Sequence, residues 1–414
     1  MNRFVSIDIG QLRLGMYVYL DTGWLRHPFP VNSFKITTAE QLQTLQSLSL
    51  KSVQYDPSRS DPEPGSGAGI EAPADGGQEP VAQARDDVEA WRACMQVLQS
   101  QFQSAVSDFD AVQGLVPTDL PAARERSDAL VAEYVVQLAQ ERDVILHLLA
   151  DEGGGAACVH GVNTAVLGML VGKTMGLQGQ ALHDLGVAAL LHDLGKQALN
   201  IPVHAFALNQ GQVGSSLYMR HVGESVALAQ AMGYGPAVTT AIAQHHEWAD
   251  GSGFPLGLLA SDMELAGQIL ALANSYERLC NPPHAAAGQT PHEVLGALYG
   301  QYRQRYAFDV LQAFVQTLGV YPPGSLVELS DGRQGQVISV NTRQTLKPSV
   351  LVYSPDLETR LQLVDLAQQD LLGIRRGLHR DQVKQDAIKS LQPHRRTCYF
   401  FDSSAAIAAE KGSL

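Results

Sequence analysis

Apolar positions recur along most of this chain at helical spacing, and at strand spacing only near its two ends. Val88, Trp91, Met95 and Leu98 stand at offsets 0, 3, 7 and 10, which is one face of a helix. Pro117 and Pro121 interrupt that run, and a long helical stretch follows from about residue 123 to 150. His160, Asn163, Thr164, Leu167 and Val171 share the face of a further helix, which Gly176 ends. Leu185, Ala188, Ala189, His192 and Asp193 fall at offsets 0, 3, 4, 7 and 8, and Val238, Ala241, Ile242, His245 and His246 repeat those offsets. His221 opens a helical segment with Ser225 and Leu228 on its face. One more apolar helix covers 269–276 and contains Asn274.

The ends read differently. Residues 1–56 carry a strand-like run over 15–20, a turn at Asp21-Thr22-Gly23, and a capping box of Thr38 and Gln41 before Leu42, Leu45 and Leu48. A closing strand is expected over 51–55. Residues 57–81 are rich in Pro, Gly, Asp, Glu and Ser without periodicity and read as a disordered linker. Residues 82–150 form a helical connector that either packs on the bundle or makes a homodimer contact, and the sequence does not choose. Residues 151–320 are the helical domain that holds the histidines. Strands over 326–330 and 336–340 flank Asp331-Gly332, a hairpin signal, and 349–353 adds a third. The reading is thus a mainly α chain, with a small N-terminal α+β domain over 1–56, a C-terminal β hairpin extension over 321–375, and a polar tail over 376–414 whose last dozen residues fray.

At 414 residues there is room for two or three domains, and 45% apolar content supplies a sizeable core. The balance of 29 basic and 42 acidic residues, net −13, argues against a nucleic-acid-binding surface. It also requires any anionic substrate to meet locally reversed charge, from metals or a few basic side chains. Cys94, Cys158, Cys280 and Cys398 are single and lack metal or disulfide spacing, which fits a reducing compartment. The first fifteen residues lack a signal-peptide core, and no run of about 18 apolar residues suggests a membrane span. A cytoplasmic location is expected.

A neutral imidazole and a carboxylate at the end of an otherwise apolar face, as at His192 and Asp193, need satisfaction in a core. A divalent metal would provide it, and so would a polar helix cap. In this reading Gly195 closes the helix and Lys196 sets a positive charge beside the pair. The stretch His245-His246-Glu247-Trp248-Ala249-Asp250-Gly251-Ser252-Gly253-Phe254-Pro255 favours the metal. Histidines on separate helices then converge on one buried end, giving a centre of nitrogen and oxygen ligands.

His192-Asp193-Leu194-Gly195-Lys196 together with the histidine pair and its glycine-rich loop resembles the HD-GYP family of metal-dependent phosphohydrolases, with Gly-Phe-Pro standing for Gly-Tyr-Pro. The resemblance covers roughly residues 140–350 and implies an HD-type helical bundle behind a small N-terminal domain. It implies hydrolysis of cyclic di-GMP to linear pGpG, GMP or both, by a hydroxide bridging two divalent ions. Iron or manganese is the family expectation, and the imidazole-rich set admits zinc or nickel. His160, His192 and Asn274 would hold one ion, His221, His245 and His246 the other, and Asp193 would bridge them. Lys196 would stabilise charge on the phosphate. Asp250, Gly251, Gly253, Phe254 and Pro255 would shape the mouth and offer a contact to diguanylate-cyclase domains. Ala156 replaces the glutamate that three-metal members carry, so two ions are expected.

Three positions depart from the family. Asn274 stands for an aspartate ligand, Gln268 for an arginine, and Asn281-Pro282-Pro283-His284 for a basic run that holds phosphates. Arg278 and Arg220 are candidate replacements for the lost charge. An active cyclic di-GMP phosphodiesterase is the leading reading. The alternatives are a degenerate module that binds cyclic di-GMP or protein with little turnover, and an HD phosphohydrolase for another phosphate ester. His183 and His204 read as surface residues.

Overall fold

Two units, residues 1–76 and 77–414, make up the chain in a computed structural model. It describes residues 5–19, 33–36, 42, 45, 52–57, 60, 79–140, 144–150, 155–201, 216–282, 289–357, 360–369, 371–393 and 396–403. The expected Asp21–Gly23 turn, the Thr38–Gln41 capping box, most of the linker, His204, His284 and nearly all of the last dozen residues lie outside that set.

The first unit is an antiparallel sheet of β1 (Val5–Asp8), β2 (Tyr17–Tyr19), β3 (Ser33–Lys35) and β4 (Ser52–Asp56) in the order β1-β4-β2-β3. Its core is Leu12, Met16, Val18, Ile36, Leu45 and Val53. The strand expected over 51–55 is present, though it lies inside the sheet, between β1 and β2.

The second unit begins with α1 (Glu79–Leu115) and α2 (Leu120–Gln140), broken near the two prolines as expected. Both helices bury residues in the main core, among them Phe102, Phe109, Val131 and Leu138, so this segment packs on the bundle. At the centre runs α3 (Ala156–Thr174), apolar nearly all round and buried from Cys158 to Gly172. It is long and apolar enough by composition to cross a membrane, and here it is the core helix of a bundle. Gly176, at φ +89°, lets the chain leave it. Around it stand α4 (Gly179–Leu191), α5 (Leu194–Ala198), α6 (Ser216–Ala231), α7 (Pro236–Gln244), α8 (Leu265–Cys280), α9 (Pro291–Gly300) and α10 (Phe308–Leu318). Helices α4 and α8 pack directly on α3, and α7 packs on both α4 and α8. This interlock gathers the functional side chains.

Three expectations need correction. The helix expected up to residue 150 does not hold over 144–149, which form strand β5 (Val144–Leu149). Its six residues, Val-Ile-Leu-His-Leu-Leu, are an apolar run whose periodicity cannot separate strand from buried helix. The extension is more than a hairpin: β6 (Leu326–Leu329), β7 (Gln334–Asn341), β8 (Ser349–Tyr353), β9 (Leu361–Asp365) and β10 (Ile374–Leu378) pair antiparallel in the order β9-β8-β7-β6-β10. One set of its side chains, including Val327, Val337, Val350 and Val364, forms a core of its own. Another set packs with Val88 of α1 and with α11 (Gln385–Leu391). The polar tail, finally, contains β11 (Cys398–Ser403), which pairs with β5 and buries Tyr399, Phe400 and Phe401 in the main core.

His147 of β5 is buried, and neither ring nitrogen has a hydrogen-bond partner among the described residues. Burial pulls it from 6.5 down to about 4. The unfolded chain therefore takes up this proton first as pH falls, and the folded state loses stability between pH 6.5 and 4. By pH 5 the loss amounts to about 2 kcal/mol. Urea unfolding of the natural chain and of His147→Leu at pH 7.5 and pH 5 checks this. The leucine variant should lack that share of the acid destabilisation; equal losses in both chains would refute it.

Candidate metal centre

Each candidate histidine stands where an apolar helix face meets the interior. His192 and Asp193 form the joint between α4 and α5, and His245 and His246 directly follow α7. His160 lies on α3 and His221 on α6. All five rings are buried, with exposures of 0 to 3%.

The rings cluster about Asp193 in two groups, one for each carboxylate oxygen. Oδ2 lies 3.5 Å from His160 Nε2 and 3.4 Å from His192 Nε2. Oδ1 lies 3.5 Å from His221 Nε2 and 3.8 Å from His245 Nε2. His246 joins the second group, whose ligand atoms all lie within 4.8 Å of one another, as do those of His160, His192 and Asp193.

Partners of the far ring nitrogens settle the chemistry of the near ones. Nδ1 of His192 donates to the Ala189 carbonyl at 2.7 Å and Nδ1 of His245 to the Ile242 carbonyl at 2.6 Å. His221 Nδ1 donates to the Tyr218 carbonyl and His160 Nδ1 to the Glu277 carboxylate. The proton thus sits on Nδ1, and Nε2 offers a lone pair. Burial pulls His160, with help from Arg278, and His221 down to about 4, and carries His245 and His246 well below their ordinary value. Neutral rings with aligned lone pairs are the form that binds metal. Yet Nε2 of His160 is 3.1 Å from Nε2 of His192, and Nε2 of His221 is 3.3 Å from Nε2 of His245. Lone pairs facing each other at such distances repel unless a cation lies between them. The donor set therefore fits divalent metal on both sides of Asp193.

Asn274 is buried on α8, and both of its amide atoms lack a hydrogen-bond partner among the described residues. An orphaned buried amide is costly, and coordination of a cation by its oxygen would offset that cost.

Burial raises the Asp193 carboxyl, but Lys196, His192 and Arg278 outweigh it and hold the group well below the carboxylate range. Lys196 Nζ donates to Oδ2 at 2.7 Å and Arg278 Nη2 at 2.6 Å. Burial in turn draws the Lys196 ammonium down to about 8, with Asp193 opposing. Arg278 thereby finds its place, on the centre. Arg220 sits on α6 and is exposed.

Sequence reasoning missed three residues. Glu277 orients His160 and also accepts from Asn163 at 3.2 Å and Asn281 at 2.8 Å. Burial raises its carboxyl, and the His160 contact more than reverses that, to about 2. Tyr218 lies 3.3 Å from His246 Nε2 through its hydroxyl, and its ring faces the Lys196 ammonium at 5.3 Å. Glu247, fully buried, accepts the backbone N–H of Leu256 at 2.6 Å and of Leu258 at 2.9 Å, which pins the glycine-rich loop. Helical spacing could have exposed Glu277, since it and Arg278 follow Asn274 by one turn.

Within that loop the Phe254 ring stacks on the His246 ring, with centroids 4.6 Å apart. Asp250 instead accepts the Ser252 N–H at 3.0 Å and shapes the loop itself. Gly251 supplies a φ of +79°. Gly253 lies so close to the backbone of His246, Glu247 and Trp248 that a Cβ would overlap it. Pro255 beside it is exposed. His183 is half-buried rather than solvent-facing, with Nε2 3.3 Å from the Asp128 carbonyl.

Gly195 does not close a helix by a left-handed turn, since it lies inside α5. It allows close approach: a Cβ there would sit 2.2 Å from the His221 carbonyl oxygen and 2.8 Å from Ser225 N. The Gly195 N–H also donates to Ser225 Oγ at 2.8 Å. Gly195→Ala should force α5 and α6 apart, cost roughly 1–3 kcal/mol, and reduce metal binding. Thermal melting and metal analysis check this, and an unchanged protein would contradict it.

Residues 5–126 match the family model described as a domain of unknown function, DUF3391, and residues 145–310 match the HD domain model. Cyclic di-GMP phosphodiesterase PA4108 of Pseudomonas aeruginosa is 28% identical over 364 residues, covering 84% of this chain and 84% of that protein. Cyclic di-GMP phosphodiesterase PdeB of Borreliella burgdorferi is 22% identical over 185 residues, covering 44% and 48%. Among solved structures, the HDG"Y"P protein Bd1817 of Bdellovibrio bacteriovorus is similar at a TM-score of 0.40 and 16% identity, covering 75% of this chain and 98% of that one.

Proposed function

We propose that residues 145–310, which match the HD domain model of a metal-dependent hydrolase family, hydrolyse cyclic di-GMP to pGpG, GMP or both. The observation that carries the reading is the division of Asp193 between two histidine groups, one per oxygen. Two relatives bearing the name cyclic di-GMP phosphodiesterase support the choice of substrate.

His160, His192 and Asn274 would hold one divalent ion, and His221, His245 and His246 the other, with Asp193 between; iron or manganese suits the family, and zinc or nickel the donors. Such ions supply Lewis acidity, which acidifies water and polarises the phosphodiester. The chain's own residues do the rest. Backbone carbonyls and Glu277 hold the imidazole rings in one tautomer and one orientation, so no reorganisation is needed on binding. Lys196 and Arg278 keep Asp193 ionised and set positive charge where a phosphate must enter a chain of net −13. Phe254, stacked on His246, offers an apolar face at the mouth for a planar base. The pinned loop around Gly251, Gly253, Phe254 and Pro255 is also the surface where a diguanylate-cyclase domain would dock, as the family resemblance implies.

A second reading has its own support. An uncharged amide at Asn274, and a guanidinium on Asp193, suit a module that binds cyclic di-GMP and turns it over slowly. Metal-loaded full chain incubated with cyclic di-GMP, followed by chromatography of the nucleotides, separates the two. pGpG or GMP is the expected product. Tight binding without product favours the second reading, and turnover confined to other phosphate esters removes both.

A further inference from the structure

Asp193 divides its oxygens unequally. Oδ2 accepts two charged donors, Arg278 at 2.6 Å and Lys196 at 2.7 Å, whereas Oδ1 has no hydrogen-bond partner among the described residues. All three side chains are shielded from water, with exposures of 15% for Asp193, 8% for Arg278 and 3% for Lys196. Oδ2 is the oxygen facing His160 and His192, and Oδ1 faces His221 and His245.

From this asymmetry, and resting on the reading of the cluster as a metal centre, we infer that Arg278 acts as a fixed cation on the His160–His192 side. The centre then takes one tightly held divalent ion among His221, His245, His246 and Asp193 Oδ1, and a second only weakly. An ion on the crowded side must displace a charged donor from Oδ2 or lie beside two positive groups. The oxygen ligand that the family resemblance assigns to that side, Asn274, is neutral. Glu277 is a further counter-charge, but it faces His160 Nδ1, Asn163 and Asn281, on the far side of the imidazole. On the opposite side Oδ1 accepts no charged donor among the described residues, and of the two cations only Lys196 is felt there, at His221 and His246. Like charges about 4 Å apart in a site of intermediate dielectric weaken binding on the order of a hundredfold or more.

Full-length chain stripped with a chelator and titrated with Mn2+ tests this by calorimetry, by metal content after gel filtration, and by electron paramagnetic resonance. The natural chain should keep one ion, with the spectrum of isolated Mn2+, and bind a second about a hundredfold more weakly. Arg278→Gln should tighten the second ion at least about tenfold, and Asn274→Asp should also raise occupancy. The double variant should hold two ions with an exchange-coupled spectrum. Two equally tight ions in the natural chain, or a second ion indifferent to Arg278→Gln, would overturn the inference. The titration of the natural chain decides the matter even where a variant fails to fold. A chain that binds no Mn2+, Fe2+ or Zn2+ would instead sink the metal reading, and cyclic di-GMP turnover enters none of these outcomes.

Discussion

Replacing Asp193 with alanine is expected to lower hydrolysis of cyclic di-GMP by roughly 10²–10³-fold or more and to empty the centre of metal. Among the described residues no other carboxylate joins either histidine group, and Glu277 lies behind His160. The substitution has a second consequence that marks it as more than loss of a ligand. Lys196 and Arg278 are nearly buried and both donate to the same Asp193 oxygen. Removing it leaves two cations without their hydrogen-bonded carboxylate, at a cost of about 3–5 kcal/mol. Melting in the presence of chelator should therefore show a clear drop for Asp193→Ala, and a smaller one when Arg278→Gln is added. Product formation is read by chromatography and metal by elemental analysis. Retained metal and unaltered turnover in Asp193→Ala would be incompatible with the arrangement described.

The second large effect concerns the C-terminal strand. A chain ending at Leu391 should fail to form the bundle. It loses Cys398, Tyr399, Phe400 and Phe401, each at most 2% exposed, and leaves β5 without one of its two neighbours. Burial of three aromatic side chains is worth on the order of 10 kcal/mol, comparable to the whole stability of a typical domain. The strand also ties the centre together. Asn163 of α3 receives the Tyr399 N–H at 2.9 Å, and Asn281, just past α8, receives the Thr397 N–H at 2.7 Å. The Tyr276 and Tyr399 hydroxyls meet at 2.9 Å. Soluble yield and far-ultraviolet circular dichroism of the shortened chain measure the effect. A cooperative melt within a few degrees of the natural chain would show the strand to be dispensable.

The helices that carry the histidines were legible because each interrupts an apolar stripe with a polar side chain, a pattern that costs energy unless the polar group has work to do. That logic picked out His192, His245 and His246, the family resemblance added His160 and His221, and the structure brings all five rings to Asp193. Arg278 was named only as a candidate replacement for lost charge, without a place, and Glu277 was not reached; the helical phase that both share with Asn274 turns them inward. Strands β5 and β11 escaped for another reason. Each is a six-residue run whose identity depends on pairing with the other across some 250 residues, and β10 likewise depends on β6. Such non-local ladders leave no mark in local periodicity. The Asp331-Gly332 hairpin, a local feature, was readable, and Gly332 does adopt the left-handed φ of +85°.

The central claim is that these imidazoles and one carboxylate grip cations. Crystals of the full chain grown with Mn2+, and an anomalous difference map recorded at the manganese edge, test it most directly. The strongest peak should lie within bonding distance of His221 Nε2, His245 Nε2 and Asp193 Oδ1. A map with no peak among the five histidines, or with manganese only on surface carboxylates, would contradict the account.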